Sequence, residues 1–195
     1  MRRIPVLMAL TVTAASQFAQ AQNLNWRGSI AGYDGKSLTV LLRDGTQVVV
    51  ALPEALPVAV TQRFSMQEVR PGMLLGVTTV RRADGATVAI DVRPIPASAA
   101  QGLSPHDLQP QSTMTNAVVE ATVASSDAHE MTLNYKTGSV KVLVPPDTPM
   151  SRAAPGERSD LKLGEAVFVA SRRNDNGSFT AVRVQVGKDG VHPTQ

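Results

Sequence analysis

The side chains best equipped for chemistry in this chain are three histidines, His106, His129 and His192, and seven methionines; there is no cysteine. Without thiols, cysteine nucleophiles, thiolate metal sites and iron–sulfur clusters are excluded. Imidazole and thioether remain, and soft ligands of that kind suit Cu(I). His129 and Met131 alternate, and alternating residues of a strand share a face. With Met114 and His106 they form the candidate metal set, to which Met66, Met73 and Met150 are further sulfur donors. Methionine also fills gaps in cores, which explains an isolated His-x-Met equally well. The histidines form no i,i+4 pair and no compact cluster with carboxylates, and no G-x-S-x-G frames a serine nucleophile. The expectation is a protein that is not an enzyme and needs no cofactor.

A second group of residues points to contact rather than reaction. Ser112, Thr113, Met114, Thr115 and Asn116 place three hydroxyls and an amide before a β-branched run. Such residues satisfy backbone groups in Asx or ST turns, so the expectation is a docked strand entry with Met114 as a packing plug. The competing reading turns the hydroxyls toward a partner. Arg81 and Arg82 in one hairpin, and Arg172 and Arg173 in another, are further candidates for partner binding, although paired arginines commonly cap solvated strand ends. Nucleic-acid recognition needs aromatic platforms interleaved with basic runs. Trp26, Tyr33, Phe64, Tyr135, Phe168 and Phe179 are too dispersed for that, so no nucleic acid is expected and an envelope protein or peptide is the expected partner.

Those residues must be positioned by a chain that begins MRRIPVLMALTVTAASQFAQAQ. Two arginines, a short apolar run and the small-x-small signal Ala19-Gln20-Ala21 follow the plan of a secretory signal peptide, with cleavage after Ala21 and a periplasmic destination. The run is too short for a membrane span, and no later segment is apolar for long enough. Residues 1–21 hold two of the 19 basic residues and none of the 16 acidic ones, leaving 17 against 16. The basic character of the whole chain therefore belongs mostly to the leader.

The remainder repeats itself. PEALPVAVTQRFSMQEVRPGMLLGVTTVRRADGATVAIDV lies over PDTPMSRAAPGERSDLKLGEAVFVASRRNDNGSFTAVRV with Pro53 on Pro145, Pro57 on Pro149, Gly72 on Gly164, Gly85 on Gly177 and Val92 on Val184, each 92 residues apart. Upstream, Gly45 falls on Gly138 at an offset of 93. Each repeat alternates β-branched and polar residues in short runs bounded by Gly, Asp, Asn and Pro. SIAGY, SLTVLL, QVVVAL, MLLGVTTVRR and ATVAIDV are the strands expected of the first repeat; VVEATVA, MTLNY, VKVLV, AVFVASRR and FTAVRVQV are those of the second. SMQEV and ERSDL mark a helical turn in the long connection after the third strand, which is the layout of an OB-type barrel. The expected class is all-β: two tandem small OB-like antiparallel β-barrels after an N-terminal signal peptide. The expected boundaries are residues 25–95 for the first barrel, a Pro/Ser/Gln-rich linker over 96–116, the second barrel over 117–188 and a flexible tail over 189–195.

DLQPQSTMTNAVV, followed by LNYKTGSVKVLVPPDTPM, LKLGEAVFV and FTAVRVQVGKDG, resembles a family of exported proteobacterial proteins with an STMTNA motif and a YxxG…VPPxTP segment. The resemblance covers the linker and second repeat, and the first repeat only through the internal repetition. It implies an OB-like fold and an envelope location. Some relatives carry a metal-transporter permease label, which a chain without a membrane-spanning bundle does not support.

Overall fold

The computed structural model describes residues 24–124 and 128–194; the leader and the cleavage site after Ala21 lie outside the described residues. The first repeat supplies β1 (Leu24–Tyr33), β2 (Ser37–Leu42), β3 (Gln47–Ala51), β4 (Val58–Arg63), β5 (Leu74–Arg81) and β6 (Thr87–Pro94). The join supplies β7 (Gly102–Pro105). The second repeat supplies β8 (Thr113–Ala124), β9 (His129–Tyr135), β10 (Gly138–Val144), β11 (Ser151–Gly156), β12 (Ala166–Arg173) and β13 (Phe179–Val186). The helical turns expected in SMQEV and ERSDL are 3-10 turns at Met66–Glu68 and Arg158–Asp160, 92 residues apart.

Neither repeat closes on itself. Sheet B is a closed five-stranded barrel in which β8, β9 and β10 of the second repeat meet β6 and β5 of the first: β10 runs parallel to β6, and β5 closes antiparallel on β8. Sheet A reverses the exchange. Here β1, β2 and β3 of the first repeat meet β12 and β13 of the second, and β13 closes the ring through a short parallel contact with β3. The expectation of one barrel per repeat is thus corrected: strands one to three of each repeat are completed by strands four and five of the other. Both cores mix the repeats. In sheet A, Ile30, Leu38, Val40 and Val50 pack with Val167, Val169, Val184 and Val186; in sheet B, Leu75, Val77 and Val92 pack with Met131, Leu133 and Val142. Each such fully buried side chain contributes about 1.5–3 kcal/mol.

The exchange arises in the connection after the third strand, which crosses from one sheet to the other instead of folding back. Where the two connections cross, β4 and β11 pair antiparallel with Thr61 opposite Ala153. Those two residues are themselves 92 apart, so the pseudo-two-fold axis relating the repeats passes through their pair. Two strands that cross an axis of this kind make the same contact in both directions, as in an isologous interface.

Gly72 and Gly164 turn the chain out of each connection. Both adopt positive φ, +87° and +84°, with open space where a Cβ would stand, so the requirement is one of backbone conformation rather than room. The Gly72 N–H donates to the Val119 carbonyl and the Gly164 N–H to the Ile30 carbonyl, pinning each fourth strand onto the first strand of the other repeat.

The join is more ordered than its composition implies. β7 pairs with β8, so the STMTN stretch, expected at the end of a linker over 96–116, is almost wholly strand. The tail expected to be flexible is also held: the Thr194 hydroxyl donates to Asp91 at 2.7 Å, and Arg27 Nε donates to the Thr194 carbonyl at 2.9 Å. The free sheet edges fall on β7 and β11, which are short and carry Pro105 and Pro155. Short edges with proline resist the addition of another strand.

Candidate binding groove at the crossing

Where the crossing connections leave sheet A and approach barrel B they enclose a groove of about 950 Å³. One wall is the end of β4 and the following 3-10 turn, Arg63 to Glu68; the other is the segment Pro145 to Ser151. Arg43 comes from sheet A, His129 from the start of β9, and Gly190 to Thr194 close one side. The walls are fixed by local chemistry. Ser65 and Glu68 form a capping box, with the Ser65 N–H donating to Glu68 Oε2 at 3.0 Å. Pro145 O accepts the Thr148 N–H at 3.1 Å, and the Val92 N–H donates to Pro149 O at 3.1 Å, which fastens the second wall to β6. Phe64 is buried beneath the groove with the Arg152 guanidinium 5.9 Å above its ring, and Arg152 also pairs with Glu68 at 2.9 Å.

A buried charged cluster anchors the tail that closes the groove. Asp91 is fully buried and accepts from Arg93 Nη1 at 2.8 Å as well as from Thr194. Burial raises its pKa, against the opposing charge of Arg93 and the Thr194 hydrogen bond. Burial likewise lowers Arg93 to about 10. Nearer the surface, Arg27 forks onto Asp107 with an Nη2–Oδ1 distance of 2.8 Å, and Asn25 donates to the same carboxylate. Partial burial acts upward on Asp107, but the hydrogen bonds from Arg27 and Asn25 prevail and hold it at about 2.

The residues singled out from sequence are dispersed across this architecture. Met131 is sealed in the barrel core, because the alternation that gives it the face of His129 turns that face inward. Met114 is buried opposite Thr78 while Met131 lies opposite Thr122, eight residues along β8, a span of about 26 Å at ~3.3 Å per residue. His106 stands with Met114's end of the strand, its N–H bonded to Ser112 O, and burial lowers its pKa against the pull of Asp107. The four candidate metal residues therefore do not converge, and among the described residues no three His, Asp or Glu side chains gather for a metal ion. His129 alone of the four lines the groove.

In the STMTN stretch both backbone edges are consumed, by β5 on one side and β7 on the other. Ser112 Oγ bonds to the His106 and Gln109 carbonyls, and Asn116 Nδ2 donates to Ala100 O at 3.1 Å. Ser112, Met114 and Thr115 are buried, and Thr113 and Asn116 are half-buried. Arg81, Arg82, Arg172 and Arg173 are exposed at the β5–β6 and β12–β13 hairpins, with Arg82 paired to Asp84 at 2.7 Å. Of the groove walls, the sequence marked Met66 and Met150 as sulfur donors and SMQEV as a turn, but not the carbonyls of Pro145 and Pro146 or the groove they enclose. A further signal is the offset of 92, which sets Met66 against Arg158 between otherwise matched turns. Comparison with protein-family models, curated proteins and solved structures finds no match for this chain.

Proposed function

We propose that the protein is a non-enzymatic binding or adaptor module of the bacterial cell envelope, exported by its leader, and that it takes its partner in the groove at the crossing. The observation that carries this reading is the groove itself. It sets an apolar surface from Phe64, Met66, Pro149 and Met150 among charged and polar side chains such as Arg63, Glu68, His129 and Asp147, and ligand sites combine apolar surface with polar groups that fix orientation. The leader-like N-terminus and the resemblance to exported STMTNA proteins support the compartment. The exposed arginine hairpins are a secondary surface. A photo-cross-linking residue in place of Gln67, on the groove rim, is expected to capture a reproducible partner in the periplasm. The same residue in place of Arg172 serves as the comparison. No adduct at position 67, or equal adducts at both positions, would count against the groove.

A second reading, a soft-metal accessory protein, is favoured by one fact: His129, His192, Met66 and Met150 all line this groove. Cu(I) is then expected to raise the melting temperature of the full chain, since a ligand at 100 times its dissociation constant stabilises by about 2.7 kcal/mol. The shift should vanish in His129→Ala and persist in Met131→Leu; absence of any shift removes this reading.

A further inference from the structure

Resting on the groove as the binding site, we propose that it recognises an arginine side chain presented by a partner peptide. The argument comes from the molecule's own symmetry. At the pseudo-equivalent position in the other half the corresponding space is filled by a guanidinium: Arg158 donates to Tyr33 Oη at 3.0 Å, to Glu54 O at 3.0 Å and to Pro53 O. Both backbone carbonyls of that arrangement have counterparts in the groove, and the guanidinium does not. Pro53 O, which also accepts the Leu56 N–H, corresponds to Pro145 O, which accepts the Thr148 N–H. Glu54 O corresponds to Pro146 O. Tyr33, opposite Leu38, corresponds to Thr122, opposite Met131, whose short side chain does not line the groove, so the third acceptor is not reproduced there. Arg158 itself corresponds to Met66, which has no N–H to offer.

A carbonyl oxygen has two lone pairs, and the turn bond at Pro145 uses one, as at Pro53. In the half of Arg158 the guanidinium takes the other; in the groove, Met66 leaves it to whatever enters. A planar fork of five N–H donors suits two adjacent carbonyls better than an ammonium does. One carboxylate favours the same occupant. The second repeat puts the exposed carboxylate of Asp147 directly after the two carbonyls, where the first repeat has Ala55. Glu68 is already paired with Arg152, and Arg43 and Arg63 also line the groove, so the preference for a guanidinium rests on Asp147 and the two carbonyls.

The full exported chain would be titrated calorimetrically with the peptide acetyl-Gly-Arg-Gly-amide and with the same peptide carrying citrulline, which keeps the shape and loses the charge. The arginine peptide is expected to bind at least about tenfold more tightly, the difference a charge-assisted hydrogen bond makes. M66R is expected to abolish binding, by supplying in cis the group that Arg158 supplies in the other half, while the chain keeps its melting temperature. Should M66R fail to fold, Asp147→Asn carries the test with an expected weakening of several-fold. Equal binding of the two peptides, no binding of either, or binding unchanged in the variants would overturn the proposal. A persistent cross-link at position 67 alongside any of those results would remove the arginine preference and leave the groove as the binding site.

Discussion

At the scale of single residues, the pair Asp91 and Arg93 shows how position in the fold governs a charge. The two lie two residues apart on β6, inside the molecule, with Arg93 shared between the carboxylate and the Met114 sulfur. Their counterparts in the second repeat are Arg183 and Gln185, also bonded to each other, at 3.0 Å. Removing one member of a buried ion pair leaves the other uncompensated, which costs about 3–5 kcal/mol, whereas replacing both with apolar residues is far milder. Asp91→Ala is therefore expected to lower the urea unfolding free energy by about that amount, and Asp91→Leu combined with Arg93→Met by much less. If the single variant were as stable as the wild type, the pair would not anchor the tail. Nothing in the sequence marked Asp91, because a lone Asp on an alternating strand reads as an outward-facing polar residue.

At the scale of elements, the strands were legible where alternation alone defines them. β2, β12 and β13 match the expected segments residue for residue, and β5, β6, β9 and β10 differ only at their ends. β4, β7 and β11 were not read as strands. β11 contains Pro155 and Gly156, which local propensity disfavours, and it is strand only because β4 offers it an antiparallel partner. The punctuating glycines carried real information: Gly72 and Gly164 do the same work in both repeats. Adding a Cβ at a left-handed position costs about 1–2 kcal/mol. Gly72→Ala and Gly164→Ala are each expected to lose that amount by thermal or chemical denaturation, and to equal extents. A large inequality would mean that one crossing is held by something other than this turn.

At the scale of the whole molecule, the interchange of strands makes the repeats mutually dependent. Residues 24–110 contain no partner for the open edges of β1 and β3, and residues 111–194 contain none for β8 and β10. Each half therefore exposes half a core. Expressed separately, the two fragments are expected to lack cooperative melting, and on mixing to form a 1:1 complex with the circular dichroism of the intact chain. Independent cooperative folding of either fragment would show that the strands can close within one repeat. The intact chain is expected to unfold in a single transition, because neither core survives loss of the other repeat.

The repeats, the all-β class, five strands of each repeat and the lack of thiol chemistry were determined by the sequence alone, since they rest on composition, period and spacing. Which repeat completes which sheet was decided only in three dimensions. The fourth and fifth strands carry nearly the same pattern in both repeats, so local preference cannot distinguish closure within a repeat from closure across repeats. That choice depends on the path of the connection after the third strand and on the pairing of β4 with β11 around their axis. The groove follows from the same choice: its walls come from segments about 80 residues apart, and they meet only because the two connections cross.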